Sequence, residues 1–278
     1  MNMNSKVVKP KPFLRWAGGK SWLTNQIENF LPTSFNNYHE PFIGGASIFI
    51  FLKSKGYIKG DTYLSDSNIE LINTYQIVKN QLDHLISELR TYQNDSSFYY
   101  QMRSSRPQTE LLKAARFLYL NRTSYNGIYR ENSKGEYNVP YGRRCLSEPF
   151  DFHAMKEFSR EIENTVFQSF DFEQTLINIK EGDLVFLDPP YTVAHENNGF
   201  IEYNKKIFSW EDQRRLKDFI LEIIKRNAYY ILTNAAHYSL DNLYAGIGKK
   251  EVLSRYSTIG GKGAKRETYN EYIFFNTK

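Results

Sequence analysis

The stretch LVFLDPPY, residues 184–191, places four apolar residues directly before an acidic, proline-rich turn. A short apolar run bounded by turn residues is typical of a buried strand in a parallel sheet. In open α/β sheets, ligands bind at the carboxyl ends of such strands. We therefore predict that residues 184–187 form a buried strand and that Asp188 lies at the ligand-binding edge of the sheet.

Similar apolar runs occur on both sides of this stretch and alternate with segments of helical periodicity. The predicted strands also cover residues 38–43, 62–65, 166–169, 229–233 and 271–275, and the predicted helices residues 21–31, 69–79 and 210–225. Ser209 followed by Asp212 is a capping signal for the last of these helices. This alternation predicts an α/β fold with a mostly parallel sheet.

The middle of the chain departs from this alternation. Residues 82–92 and 109–120 have helical periodicity, and a loop-rich tract then continues to Pro149. We interpret the segment as a small, mainly helical domain inserted into the α/β domain. The predicted boundaries are residues 1–74 and 150–278 for the larger domain and 75–149 for the insert.

Composition narrows the functional classes. The 278 residues include a single cysteine, Cys145, which excludes an intramolecular disulfide framework and fits a reducing cytoplasm. No apolar run reaches the roughly 20 residues of a membrane-spanning helix, and we expect no membrane association. The net charge of +5 and the 21 Tyr and 20 Phe favour a nucleic-acid partner. The five histidines show no metal-ligand spacing, so we expect no metal.

The DPPY turn suits chemistry on an exocyclic amine such as N6 of adenine, whose lone pair is delocalised into the ring. The carboxylate of Asp188 and the carbonyl of Pro189 are two acceptors for the NH2 group, and Pro190 makes the turn more rigid. Tyr191 offers a ring that can stack on the base. The structural alternative is a Pro-Pro turn with an acidic cap.

Three further segments suit a nucleoside cofactor. EPFIGGAS, residues 40–47, lets the backbone approach a ligand, and Asp66, about 20 residues later, is placed to bind ribose hydroxyls. In FLRWAGGK, residues 13–20, Lys20 and the amides before a predicted helix suit a carboxylate. Taken singly, these segments are equally compatible with a glycine turn, a helix cap and a loop that leads into a helix.

Together and in this order, the segments resemble the Dam-type DNA adenine-N6 methyltransferases (D12 class, alpha group) from about Phe13 to Phe275. The resemblance implies a Rossmann-like seven-stranded methyltransferase sheet with a reversed last strand, residues 271–275, and a helical target-recognition domain. It implies S-adenosylmethionine as cofactor, double-stranded DNA as partner, base flipping, and a monomer or weak dimer. The implied cofactor residues are Trp16, Ala17, Gly18, Gly19, Lys20, Phe42, Gly44, Asp66, Asp171, Phe172 and Asp188.

The insert extends the resemblance through NRTSYNGIYR, residues 121–130, and YNVPYGR, residues 137–143, which look like a target-reading hairpin. Arg130 is placed like the arginine that reads guanine in GATC-specific members, and arginine can contact guanine O6 and N7 together. A basic loop that only grips phosphate is the alternative. The expected DNA contacts are Arg15, Asn121, Arg122, Tyr125, Asn126, Arg130, Lys262, Lys265 and Arg266.

The chain also departs from the family pattern. Ala46 stands where many relatives have glycine or another small residue, and Thr123, Ser124 and Arg143 differ in the expected hairpin. These differences leave the DNA target open, with GATC as one candidate. Methylation of cytosine N4 and a catalytically silent nucleic-acid-binding module are the alternative functions, and a dehydrogenase is disfavoured because GxGxxG is missing.

Overall fold

A computed structural model describes residues 11–132, 134–143, 148–192, 208–256 and 268–277. Within them, seven strands form one sheet in the order β3-β2-β1-β4-β5-β7-β6. The six predicted strands are all present, with boundaries shifted by a few residues. The strands are β1 Tyr38–Glu40, β2 Thr62–Asp66, β3 Thr165–Ser169, β4 Leu184–Leu187, β5 Tyr229–Ala235, β6 Lys249–Tyr256 and β7 Thr268–Phe275.

The direction of the strands confirms the predicted sheet. β1 pairs in parallel with β2 and β4, and β4 pairs in parallel with β5. β7 is antiparallel to both β5 and β6, so the predicted reversed last strand is confirmed. Ala235 of β5 lies opposite Glu271 of β7 in this register.

Strand β6 has no counterpart among the predicted strands. Its sequence, KKEVLSRY, contains few apolar residues, and Lys249, Lys250 and Glu251 are all exposed. β6 lies at the edge of the sheet and pairs with β7. An edge strand of this kind buries little side-chain surface, so the alternation of apolar and polar residues that reveals a strand is missing. Lysines on an edge strand are a common protection against aggregation.

Helices connect the strands. The α-helices are α1 Ser47–Ser54, α2 Ile69–Asn80, α3 Leu82–Leu89, α4 Ser96–Ser104, α5 Glu110–Thr123, α6 Phe152–Glu161, α7 Trp210–Lys225 and α8 Tyr238–Leu243. Helix α7 begins with the predicted capping box, in which the side chains of Ser209 and Asp212 each accept the other's backbone N–H. No helix in the described part of the chain is long and apolar enough to cross a membrane.

The predicted helix at residues 21–31 was wrong in type. Two short 3₁₀ helices, Leu23–Asn25 and Ile27–Phe30, replace it, and neither has a side-chain cap. Thr24 and Asn25 have low helix propensity because their side chains compete for backbone hydrogen bonds. The apolar periodicity reflected burial of Leu23, Ile27 and Phe30, not a continuous α-helix.

The chain divides into two compact units. Unit 1 comprises Met1–Ser21, Gly44–Tyr57 and Asn68–Ser169; it contains α1 to α6 and β3. Unit 2 comprises Trp22–Ile43, Ile58–Ser67 and Phe170–Lys278 and contains the other strands, α7 and α8. Residues 75–149, the predicted target-recognition domain, fall within unit 1, and the predicted domain boundaries stay a prediction.

A buried acid fixes the start of the strand that leads to DPPY. Asp183, directly before β4, accepts hydrogen bonds from His39 Nε2 at 2.8 Å, from Asn37 and from the Lys180 amide. Burial alone would raise the pKa of this carboxyl, but these hydrogen bonds, above all the one from His39, hold it below its usual value. Asp183 therefore joins β4 to the segment before β1 as a carboxylate.

Candidate active site

The predicted ligand-binding edge is present in unit 2. Since β1, β2, β4 and β5 run in the same direction, the residues that follow them lie at one edge of the sheet. Phe42 follows β1, Asp66 ends β2, and Asp188 follows β4. Three of the predicted site residues are thus placed at this edge by strand direction.

Asp188 is half-buried and is held by the neighbouring strand. The hydroxyl of Thr233, on β5, donates to Asp188 Oδ1 at 2.6 Å. The register pairs Leu187 with Leu232, which brings the next residue of each strand side by side. The carboxylate therefore has a fixed hydrogen-bond donor on the strand next to its own.

Tyr191, the last residue of DPPY, is held by β7. Its hydroxyl donates to Glu271 Oε2 at 2.5 Å, and Glu271 is fully buried. The Tyr191 ring is partly buried against the core of unit 2. Burial of a carboxyl group is costly unless the group is hydrogen-bonded. The bond from Tyr191 gives Glu271 such a partner and connects β7 to the DPPY turn.

A second polar network lies beside the turn. The buried amide of Gln213, on α7, donates to Thr192 Oγ1 at 3.0 Å and accepts from Asn234 and from Tyr244 at 2.6 Å. Burial raises the pKa of Tyr244 well above its usual value, so its hydroxyl remains a neutral donor. This network fixes Thr192, the residue that follows DPPY.

Asp66 is not the cap of α2. The side chain of Asn68 performs that role by accepting from the Leu71 amide at 3.0 Å. The capping alternative for Asp66 is therefore wrong.

Phe42 and Phe172 come together in unit 2, with ring centroids 5.4 Å apart. Asp171 caps the 3₁₀ helix Phe172–Ile177 and accepts from Arg215 at 2.8 Å. Hydrogen bonds to Glu173 and Asp212, opposed by partial burial, raise the pKa of Arg215 above its usual value and keep it cationic. The two rings thus pack against each other, and the Asp171 carboxylate is engaged by a cation.

In unit 1, the two glycine-containing motifs meet at Trp16. A Cβ atom on Gly44, which has φ +45°, would lie 2.8 Å from Trp16 Cδ1, so only glycine allows this approach. Tyr75 donates to the Gly44 carbonyl at 2.6 Å. Lys20 is buried, with its amine donating to the Gly18 carbonyl at 3.0 Å, whereas residues 17–19 are exposed.

The predicted target-reading hairpin is also formed in unit 1. Ser124 bridges to Tyr141 and Glu131 to Tyr137 in antiparallel fashion, and the Asn138 amide donates to the Arg130 carbonyl at 3.1 Å. The hairpin exposes Tyr125, Asn126 and Arg130 to solvent. Arg130 Nε donates to Asn138 Oδ1 at 2.8 Å, which orients the guanidinium from within the hairpin.

Two other predicted DNA contacts face the protein. Asn121 is buried, and its side chain accepts from the Arg15 amide at 2.9 Å and donates to the Arg15 carbonyl at 2.6 Å. Arg122 Nε donates to the Pro149 carbonyl at 2.7 Å. A Cβ atom on Gly127, at φ +66°, would lie 2.7 Å from Arg15 Cδ. These residues pack the Arg15 segment against the hairpin.

Comparison with known proteins agrees with this geometry. Residues 16–258 match the family model of the D12 class N6 adenine-specific DNA methyltransferases. The chain belongs to this family. A type II methyltransferase of Methanocaldococcus jannaschii, M.MjaIII, is 36% identical over 92% of this chain and 95% of its own length. M1.LlaDCHI of Lactococcus lactis is 32% identical over 99% of both chains, and the DNA adenine methylase of Escherichia coli K12 is 30% identical over 95% of both.

Two residues that bond to the DPPY turn were missed by sequence reasoning. Thr233 follows the apolar run of residues 229–232 in β5, and Glu271 precedes the apolar run of residues 272–275 in β7. A polar residue within a buried strand is informative because it needs a hydrogen-bond partner. That signal was available, but the partners, Asp188 and Tyr191, depend on strand register.

Some predictions fall on parts of the methyltransferase that are not described. Lys262, Lys265 and Arg266, expected as DNA contacts, lie outside the described residues, as does Cys145. No group of three or more metal-ligating side chains occurs in the described ranges.

Proposed function

We propose that this DNA adenine-N6 methyltransferase holds the target amine between Asp188 and the carbonyl of Pro189. The observation that carries the proposal is the placement of Asp188 directly after β4, with its carboxylate fixed by Thr233. Both oxygens accept hydrogen bonds from the NH2 group. These bonds favour a tetrahedral nitrogen whose lone pair faces the methyl donor. The prolines restrict the turn, which keeps the Pro189 carbonyl aimed.

Tyr191 is proposed to stack on the target adenine, which must leave the duplex stack to reach the turn. Extrusion of a base costs a few kcal/mol, and stacking on an aromatic ring offsets part of that cost. The contact between the Tyr191 hydroxyl and Glu271 holds one end of the ring and leaves its orientation defined before the base arrives. Pro190 supports the turn between the two acceptors and the ring.

S-adenosylmethionine is proposed as the methyl donor, and its sulfonium supplies a leaving group. The residues of unit 2 fit such a cofactor: Asp66 is not used as a helix cap and suits ribose hydroxyls, and the Phe42–Phe172 pair forms an apolar wall. In unit 1, the Gly44 backbone approaches Trp16 more closely than any other residue type would allow. The further proposed contacts are Ala17, Gly18, Gly19, Lys20, Asp171 and Asp188.

The exposed face of the hairpin is proposed to read duplex DNA. Arg130 is oriented by Asn138 and suits a guanine in the major groove, while Tyr125 and Asn126 are exposed beside it. Asn121 and Arg122 are assigned to holding Arg15 and the hairpin, because their polar groups bond to backbone atoms. GATC stays a candidate target, and Lys262, Lys265 and Arg266 stay candidate phosphate contacts.

The decisive experiment is methyl transfer to unmethylated DNA from labelled S-adenosylmethionine, followed by nucleoside mass spectrometry. We expect N6-methyladenine from the wild type and a loss of at least about 1000-fold in Asp188→Ala, the usual scale for removal of a central catalytic group. Asp218→Ala, an exposed acid of α7, is the matched control and should retain full activity. N4-methylcytosine as product would contradict the base assignment, and unchanged activity of Asp188→Ala would contradict the catalytic role.

A further inference from the structure

Thr233 of β5 carries a hydroxyl group that is not needed to fill the space around it. Its side chain is fully buried, and the preceding residues, Ile231 and Leu232, are apolar. Valine has nearly the same shape and needs no hydrogen-bond partner, whereas a buried hydroxyl is costly unless it has one. The partner that β5 meets here is the carboxylate of Asp188.

The geometry identifies the direction of this hydrogen bond. Thr233 Oγ1 lies 2.6 Å from Asp188 Oδ1 and 3.4 Å from the Leu187 carbonyl oxygen. A hydroxyl has one proton, and the shorter contact is to the charged acceptor, where hydrogen bonds are strongest. The proton of Thr233 is therefore directed at Asp188.

The position of the hydroxyl is itself well defined. Thr233 is β-branched, so its side chain has few rotamers. Its backbone lies between two neighbours in the sheet, since β5 pairs in parallel with β4 and in antiparallel with β7, where Thr233 faces Ile273. A donor held this firmly restricts rotation of the carboxylate that it contacts.

We propose that Thr233 is a positioning residue of the methyl-transfer reaction, which fixes the Asp188 carboxylate in the orientation that accepts the target amine. The proposal rests on the catalytic role proposed for Asp188. Because the carboxylate is oriented before the base arrives, the benefit falls on the chemical step, where small errors of alignment are costly. Loss of the hydroxyl should thus lower kcat and leave the binding of DNA and cofactor nearly unchanged.

Two matched pairs of variants isolate the hydroxyl. Wild-type threonine and Thr233→Val differ in the hydroxyl and share a branched shape; Thr233→Ser and Thr233→Ala differ in the hydroxyl and share the loss of the methyl group. Single-turnover and steady-state methylation of duplex DNA by the full chain would give kcat and KM, and calorimetry would give the Kd for S-adenosylmethionine. Thr277→Val, which removes a remote buried hydroxyl bonded to the Phe30 carbonyl, is the control.

We expect kcat to fall about 10- to 100-fold from threonine to valine and again from serine to alanine, the scale of a hydrogen bond to a charged group. KM and Kd should stay within about 3-fold, Thr233→Ser should keep most of kcat, and Thr277→Val should match the wild type. If Thr233→Val fails to fold, the serine–alanine pair still decides the question.

Other results would overturn the proposal. Equal kcat within either pair would show that the hydroxyl is not needed, and equal loss in serine and valine variants would indicate a packing role for the side chain. A change in KM or Kd at constant kcat would place Thr233 in binding. If Asp188→Ala is inactive while Thr233→Val is unaffected, only this inference fails; full activity of Asp188→Ala would remove the proposed function itself.

Discussion

At the DPPY turn of unit 2, Asp188 and Tyr191 are each bonded to a buried side chain of a neighbouring strand, whereas on the hairpin of unit 1 Arg130 and Tyr125 are exposed. Arg130 is oriented by Asn138, which belongs to the same hairpin. Hydrogen bonds made in the protein interior are strong and costly to break, while exposed ones compete with water. In the proposed mechanism, the catalytic groups are therefore fixed before DNA binds, and target choice depends on the DNA contact itself.

On the exposed side of this comparison, the largest effect is expected at Arg130. A bidentate contact to guanine contributes about 1–3 kcal/mol of discrimination, so Arg130→Ala should reduce preference for one base pair by roughly 5- to 150-fold. Methylation of oligonucleotides that differ at each position flanking the adenine would measure the change. The identity of the affected base pair would also test GATC as the target.

The control for Arg130 lies in the same hairpin. Lys134 is exposed, and Lys134→Ala removes an equal charge at a position not expected to reach a base. We expect it to weaken binding uniformly or not at all. If Arg130→Ala also weakens binding equally for all oligonucleotides, then Arg130 contacts phosphate and does not contribute to sequence recognition.

A smaller effect is expected at Tyr191 and Glu271. Tyr191→Phe keeps the stacking ring and removes the hydroxyl, and Glu271→Leu removes the carboxylate that accepts from it. Each should lower kcat about 10-fold, equivalent to roughly 1.4 kcal/mol, because the ring loses its fixed orientation. Since both changes remove the same contact, the double variant should be no worse than either single one. Additive losses in kcat would show that the two residues act independently.

These expectations also show what the sequence could predict. Periodicity located six strands, and Asp188 and Asp66 follow from the rule that ligands bind at carboxyl strand ends, whereas Phe42 came from the family resemblance. Residues that act through a partner distant in sequence could not be located. Thr233 bonds to Asp188, 45 residues earlier in the chain, and this contact follows only from the pairing of Leu187 with Leu232. Asn121 shows a second limit, because a polar residue in a DNA-binding motif is compatible with either surface contact or internal bonding, and only the structure shows that it is buried.

The smallest effect is expected at Ala46, where burial is complete but the side chain makes no hydrogen bond. Ala46 has φ +60°, a left-handed conformation that costs an L-residue about 1–2 kcal/mol relative to glycine. Ala46→Gly relieves this strain but also increases the conformational entropy of the unfolded chain, by about 0.4–1 kcal/mol. The two contributions oppose each other, so the free energy of unfolding should rise by at most about 1.6 kcal/mol, with unchanged kcat.

Gly44→Ala is the matched opposite change two residues away. It adds a Cβ atom 2.8 Å from the Trp16 ring at a φ of +45°, and should lower both the free energy of unfolding and the affinity for S-adenosylmethionine. Urea unfolding and calorimetry of both variants would check this. If Ala46→Gly lowered kcat as much as Tyr191→Phe, backbone strain in residues 44–47 would matter to the chemical step as much as the hydrogen bond that holds Tyr191. Constant kcat in Ala46→Gly, together with a fall in Tyr191→Phe, would instead place the sensitivity of the chemical step in the hydrogen bonds of the DPPY turn.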